Sequence, residues 1–250
     1  GGFKRFCRGE IDISDASRPI KEKEMSACRE SSISYIELPV AFDGLAVLVN
    51  TSNTWVDHLT VAELKRIWEP SAQGVITKWS QVRDGFPDIE IRLFGPGTDS
   101  GTFDYFTEAI NGKAGSSRGD YTASEDDNVL VEWVASDKGS IGYFGVAYYE
   151  QNKGKLKIVP IDDEKSGNGQ GPIIPTMETV KNGTYQPLAR PLFIYVSKDG
   201  LKREKVKQFV EYYLKNAAAL SEEVGYIPLP ADAYEAAQER FTNEIFGSVF

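Results

Sequence analysis

Short apolar stretches alternate along the chain with longer stretches in which apolar residues recur at helical spacing. The strand-like stretches are Ile33–Val40, Leu45–Asn50, Ile89–Phe94, Ser140–Phe144, Leu156–Ile161 and Pro191–Val196. The helical pattern falls on Val61–Trp68, Gly101–Asn111, Asn128–Ser136, Met177–Lys181, Lys202–Ala218 and Ala231–Phe241. This alternation favours an α/β fold with mainly parallel sheets covered by helices.

Local signals mark some boundaries in this pattern. Thr60 directly precedes one helical stretch and is predicted to cap that helix. Asp43 and Gly44 separate two strand-like stretches, which predicts a short turn. The strand at Arg190–Val196 follows a polar, Gly-rich region, so we expect the chain to return there to the lobe where it began. The predicted lobes are 1–44 with 190–250, and 45–189.

Composition and charge narrow the function classes. The chain has 250 residues, of which 41% are hydrophobic, and a formal net charge of -9. Nucleic acid and anionic membrane surfaces require clustered Lys and Arg, so both are disfavoured as partners. The apolar run Gly44–Val49 is too short to span a bilayer, and we expect no membrane insertion. An acidic chain can still bind a small anion through backbone N–H groups.

The two cysteines, Cys7 and Cys28, are 21 positions apart. A disulfide between them would contribute about 3 kcal/mol and would indicate an oxidising compartment. The alternative is a pair of buried free thiols, since free cysteine is often buried.

A Gly-rich turn between a strand and a helix carries the most informative motif, Asp99-Ser100-Gly101-Thr102. The free N–H groups of the helix N-terminus and the hydroxyls of Ser100 and Thr102 can converge on one tetrahedral anion. The motif is not a nucleotide-binding P-loop, because no Lys stands between Gly101 and Thr102. The alternative is a plain capped turn, in which Ser100 or Asp99 satisfies the helix N-terminus and binds nothing.

A second polar cluster places Ser17 beside Arg18 after a probable strand. A hydroxyl next to a guanidinium is a natural pair of donors for an oxyanion. The alternative is a surface turn with Arg18 in solvent.

These segments together resemble the PstS-type phosphate-binding proteins, the extracytoplasmic receptors of the phosphate-specific ABC transporter. The resemblance covers almost the whole chain and rests on Gly1–Lys4, Asp12–Pro19, Phe42–Asn50, Thr77–Trp79, Asp99–Thr102, Gly139–Tyr143 and Pro191–Val196. It implies a two-lobed, periplasmic-binding-protein-like fold that closes on phosphate. It further implies a periplasmic or extracellular location, which includes a cell-surface lipoprotein. The implied partners are the permease subunits of the transporter, and the implied oligomeric state is a monomer.

The resemblance also implies a ligand set. Ser100, Gly101 and Thr102 carry over directly, with Asp99 beside them. Ser17 stands where many relatives place a proton-accepting Asp, so we expect Asp43 to replace that acceptor. Pro96 stands where many relatives have Arg, so we expect Arg18 to supply the guanidinium. Family members usually begin with a strand, a ligand loop and a helix before the segment that matches Gly1, and we expect this chain to lack them.

Two rival functions remain open at this stage. One is a receptor for another oxyanion or a small organic ligand, because a fold does not fix its ligand. The other is a phosphatase or hydrolase with Ser100 as nucleophile, which needs a general base. His58 is the only histidine, and nothing near it in sequence suggests a catalytic triad. The acidic runs 125–127 and 162–164 lack calcium-loop spacing, so we expect no metal. We also expect no cofactor and, because no general base is evident for Ser100, no catalysis.

Overall fold

The structure is a computed structural model that describes residues 2–249. The predicted first lobe includes Gly1 and Phe250, and the segments that carry the family resemblance include Gly1. These two residues lie outside the described part of the chain. The chain divides into two compact units: unit 1 is Gly1–Asp43 with Arg190–Phe250, and unit 2 is Gly44–Ala189. These bounds lie within one residue of the predicted lobes, and their role as lobes stays a prediction.

The strands and helices alternate as the sequence pattern predicts. The strands are β1 Ile13–Ala16, β2 Tyr35–Asn50, β3 Leu59–Thr60, β4 Arg92–Gly95, β5 Thr122–Ala123, β6 Ser140–Gly145, β7 Leu156–Val159, β8 Ile161–Asp162 and β9 Ala189–Ser197. The α-helices are α1 Gly2–Phe6, α2 Glu22–Glu30, α3 Val61–Trp68, α4 Gly101–Asn111, α5 Asp127–Ser136, α6 Val146–Gln151, α7 Met177–Lys181, α8 Glu204–Glu223 and α9 Ala231–Thr242. The α/β class is confirmed, and α3 and α4 have the predicted bounds.

Unit 1 is built on β1, β9 and the first half of β2, in that order. β1 runs antiparallel to β9, with Ile13 opposite Val196. One core cluster joins this sheet to α8 and α9; its buried members are Ile36, Leu38, Val40, Ile194, Val196, Leu201, Val210, Leu214, Ala237 and Phe241. A second cluster surrounds Cys7 and Cys28 and includes Phe6 and Tyr195. Apolar burial of this kind holds the sheet to its helices.

Unit 2 has a mixed sheet rather than the mainly parallel one expected. The second half of β2 pairs antiparallel with both β6 and β7, and α6 makes the crossover between those two strands. β4 is parallel to β6 on one side and to β5 on the other. Because the carboxyl ends of parallel strands meet at one edge of a sheet, the segments that follow β4 and β5 are neighbours.

The turn expected at Asp43 and Gly44 is wrong, because β2 continues through both residues. Backbone partners on each side keep the chain extended. In unit 1, Phe42 exchanges two backbone hydrogen bonds with Ile227, at 2.7 and 2.8 Å. In unit 2, the N–H of Leu45 donates to the carbonyl of Leu188 at 2.8 Å. An Asp-Gly dipeptide favours a hairpin only where the flanking strands pair with each other.

Within residues 2–249, none of the helices has the length and apolar character needed to cross a membrane.

Candidate anion-binding loop

A loop of seven residues, 96–102, connects β4 to the first turn of α4 in unit 2, and we call it the anion loop. Pro96 and Gly97 are buried at its start, whereas Thr98, Asp99 and Gly101 are exposed. The N–H of Ser100 donates to the carbonyl of Gly97 at 3.1 Å, which closes a tight turn just before the helix. The loop therefore presents the helix N-terminus at the sheet edge where β4 ends.

Ser100 is the N-cap residue of α4, because its Oγ accepts a hydrogen bond from the N–H of Thr102 at 3.1 Å. The cap uses one acceptor site of the hydroxyl and leaves its hydrogen available to an anion. The N–H groups of Gly101 and Phe103 belong to the same first turn, which has no intrahelical acceptors for them. A side chain at Gly101 would meet nothing within 4 Å, so this face of the turn is open. The predicted capping role is present, and it is compatible with anion binding.

Two tyrosine side chains contact the start of the loop and the residue before it. The hydroxyl of Tyr121 donates to the carbonyl of Pro96 at 2.9 Å. The buried ring of Tyr143 lies so close to Gly95 that a Cβ there would come within 3.0 Å of it. Tyr143 also stacks on Phe106 of α4, with 3.7 Å between ring centroids. These contacts link the start of the loop and the end of β4 to the residue before β5, to strand β6 and to helix α4.

Glu125 lies against the same loop and was not among the predicted site residues. A Cβ on Gly97 would lie 1.9 Å from Oε1 of Glu125, so the carboxylate occupies the space beside that glycine. The sequence alone shows Glu125 only as part of an acidic run, for which solvated charge is the usual explanation. Glu125 lies next to the loop because β5, which ends two residues before it, pairs in parallel with β4.

The guanidinium of Arg18 is paired inside unit 1. Its Nη1 and Nη2 each donate to a carboxylate oxygen of Glu24 at 2.8 Å, and its Cζ lies 5.2 Å above the ring of Phe3. Burial raises the pKa of Glu24, but the hydrogen bonds from Arg18 more than offset this, and the net pKa is lowered. Ser17 lies half-buried just after β1. A ligand that used Arg18 would have to compete with Glu24 for it.

Asp43 is also paired. Its Oδ2 accepts hydrogen bonds from Nε and Nη2 of Arg190 at 3.2 and 3.0 Å, and the two side chains are only 11% and 16% exposed. Burial raises the pKa of the Asp43 carboxyl, and the charge and hydrogen bonds of Arg190 act in the opposite direction. The acceptor role predicted for Asp43 therefore falls on a carboxylate that already neutralises a buried guanidinium.

The predicted disulfide is present, with Cys7 and Cys28 bonded in unit 1. Both residues are buried, and the bond ties α1 to α2. Thiol ligation of a metal is therefore not open to them.

The residues named by the hydrolase alternative have other contacts. His58 Nδ1 lies 3.0 Å from the Asp57 carboxylate, while Ser100 caps α4. Within residues 2–249, no group of three or more His, Cys, Asp or Glu side chains is arranged to hold a metal ion. Of the predicted ligand residues, Asp99, Ser100, Gly101 and Thr102 lie together in unit 2. The others, Ser17, Arg18 and Asp43, belong to unit 1.

Comparison with known proteins identifies the family. A model described as "PBP superfamily domain" matches residues 1–217. Protein SphX of Synechococcus elongatus is 56% identical over 250 residues, which cover all of this chain and 72% of that protein. The phosphate-binding protein PstS of Staphylococcus haemolyticus is 38% identical over 237 residues, or 94% of this chain and 71% of that protein. The crystal structure of a possible phosphate binding protein from Planctomyces limnophilus has 49% identity and a TM-score of 0.91, covering 98% of this chain and 85% of that one. The chain therefore belongs to the PBP superfamily and, within it, to the PstS-type phosphate-binding proteins.

Proposed function

We propose that this protein is an extracytoplasmic receptor that binds inorganic phosphate through the anion loop and delivers it to an ABC transporter. The observation that carries the proposal is the open helix N-terminus at Gly101, next to a capping serine, in a chain of the PstS-type family. The PstS relatives are named for phosphate binding, which supports phosphate over other tetrahedral anions.

The chemistry of binding follows from the first turn of α4. Phosphate oxygens accept hydrogen bonds from the N–H groups of Gly101 and Phe103 and from the hydroxyls of Ser100 and Thr102. The helix dipole adds favourable electrostatic energy because its positive end lies at this turn. No side-chain cation is needed at the loop, so a net charge of -9 is compatible with anion binding.

The roles predicted for Ser17, Arg18 and Asp43 are part of the proposal, although the last two already have charged partners. We expect them to contribute less than the loop does. We further propose permease subunits as the transporter partner and a monomeric state. The proposed extracytoplasmic location fits a periplasmic or extracellular protein and also a cell-surface lipoprotein.

Isothermal titration with phosphate tests the loop through Gly101→Glu. The open space at Gly101 accommodates a side chain, and a carboxylate in the first turn favours the helix, so the variant should fold. The new negative charge opposes a bound anion by several kcal/mol, and we expect phosphate affinity to fall at least about a hundredfold. Gly101→Ala is the matched control, because it adds a side chain without charge and should lose far less affinity.

An unchanged phosphate affinity in Gly101→Glu would exclude the loop as the binding site. Binding of sulfate or a small organic ligand in place of phosphate would favour the alternative receptor. Hydrolysis of a phosphate ester that is lost in Ser100→Ala would favour the hydrolase.

A further inference from the structure

Tyr121 contacts both ends of the anion loop, although it lies outside the loop. It directly precedes β5, whose pairing with β4 sets Thr122 opposite Phe94. The Tyr121 hydroxyl donates to the carbonyl of Pro96, the first residue of the loop, at 2.9 Å. Its ring stacks on that of Phe103, the residue after the loop, with 6.3 Å between centroids and 15° between the planes. One side chain therefore links the start of the loop to its end.

The ring of Tyr121 packs against a buried tryptophan. Trp68, the last residue of α3 and only 1% exposed, meets this ring edge to face, with 5.7 Å between centroids. Trp68 also meets Phe106 of α4 edge to face, again at 5.7 Å. Aromatic pairs in this arrangement are favourable beyond the area that they bury. The linking side chain is therefore held against two helices of unit 2.

The Tyr121 hydroxyl remains a donor at neutral pH. Burial raises the pKa of Tyr121, and the negative charge of Glu125 raises it further. The phenol therefore keeps its proton, and the hydrogen bond to Pro96 is available at neutral pH.

The loop needs such a link because its middle is exposed. Thr98 and Asp99 face solvent, between the buried Pro96 and the first turn of α4. Phosphate binding requires the N–H groups of that turn to point at one place, and the N–H of Phe103 is one of the proposed donors. A protein whose binding-competent conformation is only partly populated loses affinity in proportion to that fraction. A contact that fixes both ends of the loop therefore raises affinity without touching the anion.

We propose that Tyr121 is a positioning residue that holds the anion loop in its phosphate-binding conformation by linking Pro96 to Phe103. This inference rests on the proposed function, since it concerns the same loop. Tyr121 acts before the anion arrives, because its contacts are with the loop and with the first turn of α4. Its effect is therefore on the free protein, and it raises the fraction of molecules that are ready to bind.

The test is phosphate binding by the full chain, measured by calorimetry and by stopped-flow mixing. Tyr121→Phe keeps the ring and removes only the hydrogen bond to Pro96. We expect phosphate affinity to fall about fivefold, equal to about 1 kcal/mol, which is the net contribution of one neutral hydrogen bond. The loss should appear in the association rate, because fewer free molecules are competent to bind. A lost contact with the anion itself would instead raise the dissociation rate, which we expect to change by less than about twofold.

Tyr185→Phe is the matched control for the lost hydrogen bond. The buried Tyr185 hydroxyl also donates to a backbone carbonyl of unit 2, that of Leu45, at 2.7 Å. Both substitutions should therefore lower stability in urea, and only Tyr121→Phe should lower phosphate affinity. Tyr121→Leu also removes the stacking on Phe103, and we expect affinity at least about tenfold below that of the unaltered chain.

Hydrogen exchange reports the order of the loop without any ligand. The N–H of Ser100 donates to the carbonyl of Gly97 and closes the turn inside the loop. Its exchange should become at least about threefold faster in Tyr121→Phe, since the turn opens more often, and should not change in Tyr185→Phe. This measurement, with the binding rates of Tyr121→Phe, decides the question if Tyr121→Leu does not fold.

The outcomes separate the inference from the function beneath it. Phosphate binding by the unaltered chain, with unchanged affinity and association rate in Tyr121→Phe, overturns the role of Tyr121 and leaves the receptor intact. An affinity loss of equal size in Tyr185→Phe would make the effect one of general stability, and a loss confined to the dissociation rate would make Tyr121 a ligand; either result overturns the inference. If the unaltered chain does not bind phosphate, the proposed function fails and the inference fails with it.

Discussion

The anion loop of unit 2 and the charged residues of unit 1 differ in what they offer an anion. The loop presents backbone N–H groups and hydroxyls around Gly101, in a turn with open space in front of it. In unit 1, Arg18 already binds Glu24 with two hydrogen bonds, and Asp43 neutralises Arg190. Arg18 and Asp43, the charged residues that the sequence suggested as anion ligands, therefore already form ion pairs within the protein.

This difference has a physical cause, because backbone N–H groups at a helix N-terminus and partly buried charged side chains obey different constraints. A helix N-terminus leaves its first N–H groups without intrahelical acceptors by geometry alone, and at α4 the Ser100 hydroxyl caps the N–H of Thr102. A guanidinium or carboxylate that is partly buried needs a counter-charge, because an unpaired buried charge is costly. The ion pairs of unit 1 are thus explained by their contribution to stability. The N–H groups of the anion loop that have no intrahelical acceptor are available to bind an anion.

The largest expected effect comes from breaking the buried pair of unit 1. Arg190→Met leaves the Asp43 carboxylate without its guanidinium, and we expect the free energy of unfolding to fall by about 3 to 5 kcal/mol. Burial already raises the pKa of Asp43, so its charge destabilises the folded state at neutral pH. The loss should therefore shrink as the pH falls through the folded-state pKa of Asp43.

Urea unfolding at neutral and acid pH measures this effect. Lys205→Met on the exposed surface of α8 is the control and should change stability by less than about 0.5 kcal/mol. A loss below about 1 kcal/mol for Arg190→Met would mean that the pair is not a buried ion pair in solution.

A charged pair in unit 2 should show the opposite pH dependence. Arg118, whose side chain is 3% exposed, donates two hydrogen bonds to Asp120, and these lower the pKa of Asp120 to about 2. A folded-state pKa below the usual Asp value of 3.8 stabilises the protein at pH values above 3.8, and this stability is lost as the pH falls toward 2. We expect Asp120→Asn to flatten that part of the pH–stability curve. Acid titration of unfolding checks this, with Glu235→Gln as an exposed control; an unchanged curve in Asp120→Asn would contradict it.

The smallest effect concerns Arg18. Because Glu24 occupies its guanidinium and the pair is partly exposed, Arg18→Gln should lower phosphate affinity by less than about threefold and stability by less than about 1 kcal/mol. Glu24→Gln is the informative partner variant, since it removes the negative charge that pairs with the guanidinium and leaves the guanidinium in place. An affinity loss above about tenfold in Arg18→Gln would make Arg18 a major ligand and would contradict the small contribution expected of it.

Local patterns in the sequence predicted the elements whose stabilising contacts are also local. Helix α4 and the cap of α3 by Thr60 follow from residues within one turn. Helix α2 was missed, because its sequence is mostly charged and has little apolar periodicity. The continuous strand β2 was missed because its partners at Ile227 and Leu188 are distant in sequence.

The same limit applies to the site. The anion loop was predicted because strand, glycines, serine and helix are consecutive. Asp43 and Arg190 are 147 positions apart, and no local pattern indicates that they pair. Glu125 lies 28 positions after Gly97 and reaches the loop only through the pairing of β4 with β5. Contacts of this kind depend on strand order and register, which periodicity does not specify.

The most direct test of the central claim is a phosphate titration of the ¹⁵N-labelled chain, followed by NMR of the backbone amides. If the anion loop holds phosphate, the N–H signals of Gly101 and Phe103 shift and saturate together with the binding heat measured by calorimetry, because these protons donate to the anion. Saturable binding that leaves both signals in place would contradict the account.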